Sequence, residues 1–211
     1  MRITKYEHAC VVLEEKGKKL VIDPGNLTPT FGDLSNIVAV VVTHEHEDHL
    51  NLANLQKILD NNPDVQIFAP AETAEKMTDF LVTMIQDGQT ISVESFQIKF
   101  FGGPHAIIIP DEPLVQNTGL LVNQKFYYPG GSFVLPDEPV EVLAAPIDGV
   151  WLKLAETIDF VRTIKPKICI PTHDAELSED GKKSVDTLMA QICQTLGTEY
   201  KRLQTGSYLD I

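Results

Sequence analysis

Six consecutive apolar, mostly β-branched residues, Ile37-Val38-Ala39-Val40-Val41-Val42, run directly into Thr43-His44-Glu45-His46-Glu47-Asp48-His49. A strand without polar alternation is buried on both faces, so it needs a packed layer on each side. Three of the chain's six histidines then fall at the end of that strand, with an aspartate between the second and third. His44 and His46 are two apart, and an extended backbone aims both imidazoles to one side. Asp48 and His49 point to an adjacent position as the chain turns into a helix. Neutral imidazole nitrogen with carboxylate oxygen suits zinc, manganese or iron, and the lack of cysteine ligands argues against a structural zinc site. The competing reading is a solvated helix start, with Glu45, Glu47 and Asp48 at the positive end of the helix dipole. It leaves the three histidines unexplained.

The rest of the chain supplies strands and helices in two similar series. Val11-Val12-Leu13 and Leu20-Val21-Ile22 flank Glu14-Glu15-Lys16-Gly17-Lys18 as a hairpin, and Asp23-Pro24-Gly25-Asn26 ends its second strand. After the histidines, Leu52, Leu55, Ile58 and Leu59 keep helical spacing, and Ile67-Phe68-Ala69 is a short strand. Met77, Phe80, Leu81, Met84 and Ile85 repeat at i, i+3, i+4, i+7 and i+8, which predicts an amphipathic helix with its methionines in the core. Residues 89–101 alternate as two strands and lead to Gly102-Gly103-Pro104-His105. The second series has a hairpin of Gly119–Val122 and Phe126–Tyr128 around Asn123-Gln124, then a strand at Val140–Ala144. A helix through Leu154, Ile158 and Val161 stops before Pro166. Ile168-Cys169-Ile170 is a buried strand ending at Pro171-Thr172-His173, and Val185, Leu188, Met189, Ile192 and Leu196 mark a last amphipathic helix. Strands then helices, twice over, predict two β-then-α halves, roughly 1–110 and 111–211, packed sheet to sheet with helices outside. No Gly, Ser or Pro linker separates the halves, so residues 1–211 are read as one domain.

Composition narrows the function. The 17 Lys and Arg against 30 Asp and Glu give a net charge of −13, which opposes a phosphate-backbone ligand because duplex binding rests on cations displacing counterions. Nucleic acid is therefore not an expected partner. The N-terminal residues lack the apolar core of a signal peptide, and no apolar run is long enough to span a bilayer. Cys10, Cys169 and Cys193 are far apart, odd in number, and each within an apolar stretch, so they read as small core residues. These features predict a cytoplasmic protein without a membrane partner.

His44-x-His46-x-Asp48-His49 after a hydrophobic strand resembles the HxHxDH signature of the metallo-β-lactamase superfamily, and the resemblance covers nearly the whole chain. Glu7-His8-Ala9 followed by Leu20-Val21-Ile22-Asp23-Pro24 is similar to the opening of the branch that holds ascorbate-6-phosphate lactonase-like metal-dependent hydrolases. Gly103-Pro104-His105 resembles its third-histidine motif, Asn117-Thr118-Gly119 the strand before its aspartate motif, and Pro171-Thr172-His173 its last histidine. The resemblance implies an α/β fold, a four-layer αβ/βα sandwich with the metal site at one edge of the two sheets. It further implies one divalent ion on His44, His46 and His105 and a second on Asp48, His49 and His173, with zinc the first choice and manganese or iron alternatives. Asp48 would also take or return a proton, and His8 and Asp23 would lie beside the ligands or against substrate.

The chain departs from that family at one point. The superfamily's Gly-Asp-Thr motif carries an aspartate shared by both metals, and the matching stretch here is Gly130-Gly131-Ser132. Without the shared anion, two dications are less well neutralised. Three outcomes follow: one ion on His44, His46 and His105; two ions with Asp23, Asp148 or Asp174 moving in; or a degenerate, non-catalytic metal- or ligand-binding member of the fold. Gly131 would also leave room for a bulkier substrate group. The functional expectation is a metal-dependent hydrolase acting on a small-molecule ester, lactone or phosphoester, with homo-oligomer formation left open. Phe31, Trp151 and residues 107–113 are candidates to line its entrance.

Overall fold

The computed structural model describes residues 1–29 and 31–211. Two seven-stranded mixed sheets stack face to face, and α-helices cover their outer faces. The first sheet is built from β1 (Arg2–Lys5), β2 (Val11–Glu15), β3 (Lys18–Ile22), β4 (Ile37–Val41), β5 (Gln66–Ala69) and β6 (Val82–Met84). Helix α1 (Leu52–Asn61) joins β4 to β5, and α2 (Ala71–Glu75) precedes β6. The second sheet contains β7 (Thr90–Val93), β8 (Phe96–Pro104), β9 (Gln116–Val122), β10 (Phe126–Tyr128), β11 (Val142–Pro146), β12 (Ile168–Thr172) and β13 (Glu199–Tyr200). Helix α3 (Leu154–Ile164) links β11 to β12 and α4 (Glu179–Leu196) links β12 to β13, while β14 (Tyr208–Asp210) returns to pair with β1. In each sheet four strands run parallel, β3 to β6 and β10 to β13, and the rest are antiparallel.

Strand periodicity explains the layering. Leu20, Ile22, Ala39 and Val41 point into the space between the sheets, where they meet Ile98, Phe100, Leu120 and Val122. Their alternates Val21, Val40 and Val42 face outward onto Leu55 and Ile58 of α1. In the second sheet Leu121, Leu143 and Cys169 likewise pack on Phe160 and Val161 of α3 and Met189 and Cys193 of α4. Each central strand is thus apolar on both faces for a stated reason, as the continuous runs predict. All three cysteines are buried and free.

The helix expected through Met77–Ile85 does not form. Strand β6 occupies its second half and pairs in parallel with β5, Ile67 opposite Val82 and Ala69 opposite Met84. A helix there would leave that edge of β5 without backbone partners, a cost the edge strand removes. Only Met77 and Ile85 of the stripe are fully buried, whereas Leu81 is 95% exposed and Met84 59%. The division between sheets also falls earlier than residue 110. Strands β7 and β8 belong to the second sheet, and β14 brings the chain's end back to the first. Among the described residues, no helix is long and apolar enough to cross a membrane.

Candidate metal centre

The histidines gather where the parallel strands end, the position at which α/β sheets present ligand-binding loops. His44, His46, Asp48 and His49 follow β4, Asp23 follows β3, and His173 follows β12. His105 follows β8, which like β12 belongs to the second sheet, and His8 lies between β1 and β2. The turn carrying the motif is tightly wound: the amides of His49 and Leu50 both donate to the carbonyl of His46, and Asn51 caps α1 by accepting from the Asn54 amide. Gly25 lets the Asp23–Asn26 turn press against this segment, since a Cβ there would lie 1.8 Å from the Asp48 carbonyl oxygen. His8, Asp23 and His173 adopt left-handed φ of 57°, 48° and 56°. Such backbone costs about 1–3 kcal/mol per residue and persists where surrounding structure fixes it. Here the His173 amide donates to the His8 carbonyl and the Asp23 amide to the Val41 carbonyl.

Two groups of ligand-capable side chains result. In one, His44, His46 and His105 bring ring nitrogens within 4.8 Å of one another; in the other, His8, Asp48, His49 and His173 do the same. The hydrogen bonds around them decide which nitrogen faces inward. Asp23, fully buried, accepts from the Thr43 amide at 2.7 Å, the Thr43 hydroxyl at 2.7 Å and His49 Nδ1 at 2.5 Å. Because the Thr43 hydroxyl donates to Asp23, its oxygen accepts from His44 Nδ1 at 3.0 Å. His105 Nδ1 donates to the Ala106 carbonyl at 2.7 Å. His44 and His105 therefore hold their proton on Nδ1 and present Nε2 to the site, the arrangement that outer hydrogen bonds impose on metal-binding imidazoles. Asp23 fixes a proton on His49 Nδ1 and leaves its Nε2 between Asp48 and His173. His44 Nε2 is buried without any hydrogen-bond partner. A buried nitrogen lone pair in that condition is costly unless a cation or donor meets it. The residues present fit a divalent ion.

The electrostatics agree with that donor set. Burial holds His44 and His173 well below the ordinary histidine range, lowers His46, and brings His105 down to about 4. Neutral imidazole is the form that binds metal. His49 is the exception. Burial pulls it down, but the charge and hydrogen bond of Asp23, with Asp48, outweigh this and raise it to about 9. Burial likewise pushes Asp48 up, and hydrogen bonds from His49 and His8 reverse that and hold it far below the usual carboxylate range. The Ala175 amide donates to His8 Nδ1 at 3.4 Å. His8 Nε2 then carries the proton and donates to Asp48 Oδ2 at 3.0 Å, so His8 orients the carboxylate.

Gly131 sits inside the cluster. A Cβ on it would lie 2.1 Å from His105 Nε2 and 3.0 Å from His44 Cε1. The space expected for a bulkier substrate group is filled by these two rings. Nor does a candidate carboxylate replace the missing aspartate: Asp23 is consumed by Thr43 and His49, Asp174 by Lys5 and Arg202, and Asp148 belongs to neither ligand group. Three positions that support the site have no role of their own in the sequence, Asn117 entering only as part of the stretch that resembles the strand before the aspartate motif. Thr43 relays Asp23 to His44. Asn117 accepts from the Gly131 amide at 3.0 Å and donates to the Pro129 carbonyl and the Ser132 hydroxyl, fixing the 129–132 turn. Its sequence signal was an asparagine, a poor strand former, inside an otherwise strand-like run. Lys5, only 2% exposed, bonds Asp174 at 2.9 Å beside His173, and no local pattern marks it.

A cleft of about 360 Å³ opens over both groups, with His8, His46, Asp48, His105 and His173 in its floor. Trp151 and Ile108 line it; Phe31 does not, packing instead on Tyr6 under the first sheet.

The sequence pattern of the beta-lactamase superfamily domain matches residues 2–173. The chain belongs to the metallo-β-lactamase superfamily. It is 28% identical over 187 residues to Protein Rv0786c of Mycobacterium tuberculosis, covering 86% of this chain and 88% of that one. It is also 28% identical over 186 residues to UPF0173 protein PF0020 of Pyrococcus furiosus, covering 85% and 86%. Its fold is similar to that of Igni18, a metallo hydrolase from Ignicoccus hospitalis, with a TM-score of 0.74 at 16% identity over 99% of this chain and 97% of that one. The four-layer sandwich read from the sequence is the fold of this superfamily.

Proposed function

We propose that this member of the superfamily is a metal-dependent hydrolase acting on a small-molecule ester, lactone or phosphoester in the cleft over the histidines. The supporting observation is that His44, His46 and His105 bring ring nitrogens within 4.8 Å of one another, with His44 Nε2 buried and unpartnered while its Nδ1 is engaged. His44, His46 and His105 would hold one ion; Asp48, His49 and His173 would hold a second where two bind. Zinc suits this nitrogen-rich set first, with manganese and iron as alternatives. A divalent ion there supplies Lewis acidity, lowering the pKa of a water toward neutrality and polarising the scissile bond.

The chain's own groups do the rest. Asp23 locks the His49 ring and, through the Thr43 hydroxyl, the His44 ring, so neither reorganises when substrate arrives. Asp48 opens to the cleft, accepts a hydrogen bond from the reacting water at its free carboxylate positions, and passes the proton toward the leaving group. His8 keeps it oriented. Trp151, whose ring lies edge-on to His105 and His173 at 5.3 and 5.8 Å, closes one side and sheds water from it.

A second reading, a non-catalytic binding protein, is favoured by Gly131, which removes the anion that neutralises a metal pair. Elemental analysis of purified protein with His44→Ala and Asp48→Ala variants separates the two. About two equivalents falling with each substitution support a dinuclear hydrolase. One equivalent lost with His44→Ala alone supports a mononuclear one. Failure to take up zinc, manganese or iron would leave only the binding reading.

A further inference from the structure

Resting on that hydrolytic reading, we propose that the site takes an uncharged substrate with an apolar chain, and that the chain lies in a crevice between residues 106–109 and 113–115. This crevice, about 160 Å³, shares His46, His105 and Ile108 with the main cleft, so it opens directly from the reacting position. Its walls are Ala106, Ile108, Ile109, Pro113, Leu114 and Val115. The cleft adds Leu27, Val150 and Trp151 on its other side.

Charge points to the same substrate. Among the described residues, neither cavity is lined by a lysine or arginine. The charged groups that do face them are Glu47, Asp48 and Glu176 in the cleft and Glu112 in the crevice. A phosphate or carboxylate on the distal part of a substrate would meet acidic groups with no donor to pair it, and recognition of such groups relies on arginine or lysine. The rim, by contrast, is apolar where solvent would favour polar residues. Ile108, Ile109 and Leu114 of the crevice are 43%, 50% and 45% exposed, and Val150 across the cleft is 85% exposed. Exposed apolar side chains lining a crevice that opens from a polar reaction site are what a chain-bearing substrate covers.

Trp151, the only tryptophan, lines the cleft and reports binding without turnover. Zinc-loaded protein is titrated by fluorescence with butanamide, pentanamide and hexanamide, and with adipamate, the hexanamide analogue ending in a carboxylate. Affinity is expected to rise about threefold to fourfold per methylene, and adipamate to bind at least tenfold more weakly than hexanamide. Ile109→Asn and Leu114→Asn, at exposed positions and checked for unchanged melting, should flatten the chain-length dependence. Equal binding of adipamate and hexanamide would overturn the proposal, as would an undiminished methylene increment in both variants. Turnover of 4-nitrophenyl hexanoate by the same protein tests the hydrolytic reading separately. The expected binding order without turnover would sink the hydrolase and leave the ligand class standing.

Discussion

Gly131→Asp restores the residue that the superfamily motif carries, and the structure predicts that it damages the site. The added Cβ alone would lie 2.1 Å from Nε2 and 2.3 Å from Cδ2 of His105, far inside contact distance. The ring has little freedom to yield. Its Nδ1 is bonded to the Ala106 carbonyl at 2.7 Å, and the Ala106 amide is bonded to the Gly131 carbonyl at 3.0 Å, so ring and clashing residue are tied to each other. Overpacking of this kind costs about 1–3 kcal/mol. At about 2–4 °C per kcal/mol for a chain of this size, the midpoint of thermal unfolding should fall by roughly 2–12 °C. Gly131→Ala, which brings the same Cβ without charge, should show most of the loss. Both variants are to be melted after chelation, and their metal content measured after reloading. His105 displaced from His44 and His46 should reduce uptake. Unchanged melting of Gly131→Asp together with an added equivalent of metal would refute the argument. It would mean that His105 swings aside freely and the aspartate takes its family role.

Other outcomes follow from the buried networks. Asp23→Ala leaves the Thr43 amide, the Thr43 hydroxyl and His49 without their acceptor, and should lower unfolding free energy by about 3–5 kcal/mol in denaturant titrations; a loss under 1 kcal/mol would show that water replaces the carboxylate. Asp174→Ala strands the buried Lys5 ammonium, while Arg202 keeps its pair with Asp186, and should cost about 3 kcal/mol, whereas Lys5→Met, which leaves Asp174 paired with Arg202, should cost clearly less. Chelated protein should be most stable near neutral pH. His44, His105 and His173 stay neutral when folded, held down by burial, but take protons at about 6.5 when unfolded, so stability falls as pH drops from there toward 4. His49, which burial lowers but Asp23 and Asp48 raise to about 9, contributes stability that is complete below about 6.5 and lost as pH rises through 9. A continued rise in stability from about pH 7 to about 9.5 would contradict the His49 assignment, and unchanged stability between about pH 7 and about 5 would contradict that of the other three.

What the sequence determined by itself was whatever short-range pattern encodes. The apolar run 37–42 implied layers on both of its faces, because a strand alternates its side chains and every one of these is apolar. The hairpin at Lys16-Gly17 followed from turn chemistry, and both residues have positive φ, 51° and 74°. The spacing of His44, His46, Asp48 and His49 marked a metal centre, because few other uses explain imidazoles crowded at a strand end. The Met77–Ile85 stripe misled for the same local reason: its spacing fits a helix, and only the unpaired edge of β5 makes a strand the better choice. Which sheet receives β7 and β8, and that β14 returns to β1, depend on pairings across much of the chain that no window contains. The roles around the site are of that kind too. Asp23 meets His49 across 26 positions, and Lys5 meets Asp174 across 169. At Gly131 the sequence displayed a missing carboxylate, whereas the fold places the rings of His105 and His44 in the space it would need. An absence can be read from one position, but what fills the space is set by packing between sheets, where residues distant in the chain compete for one volume.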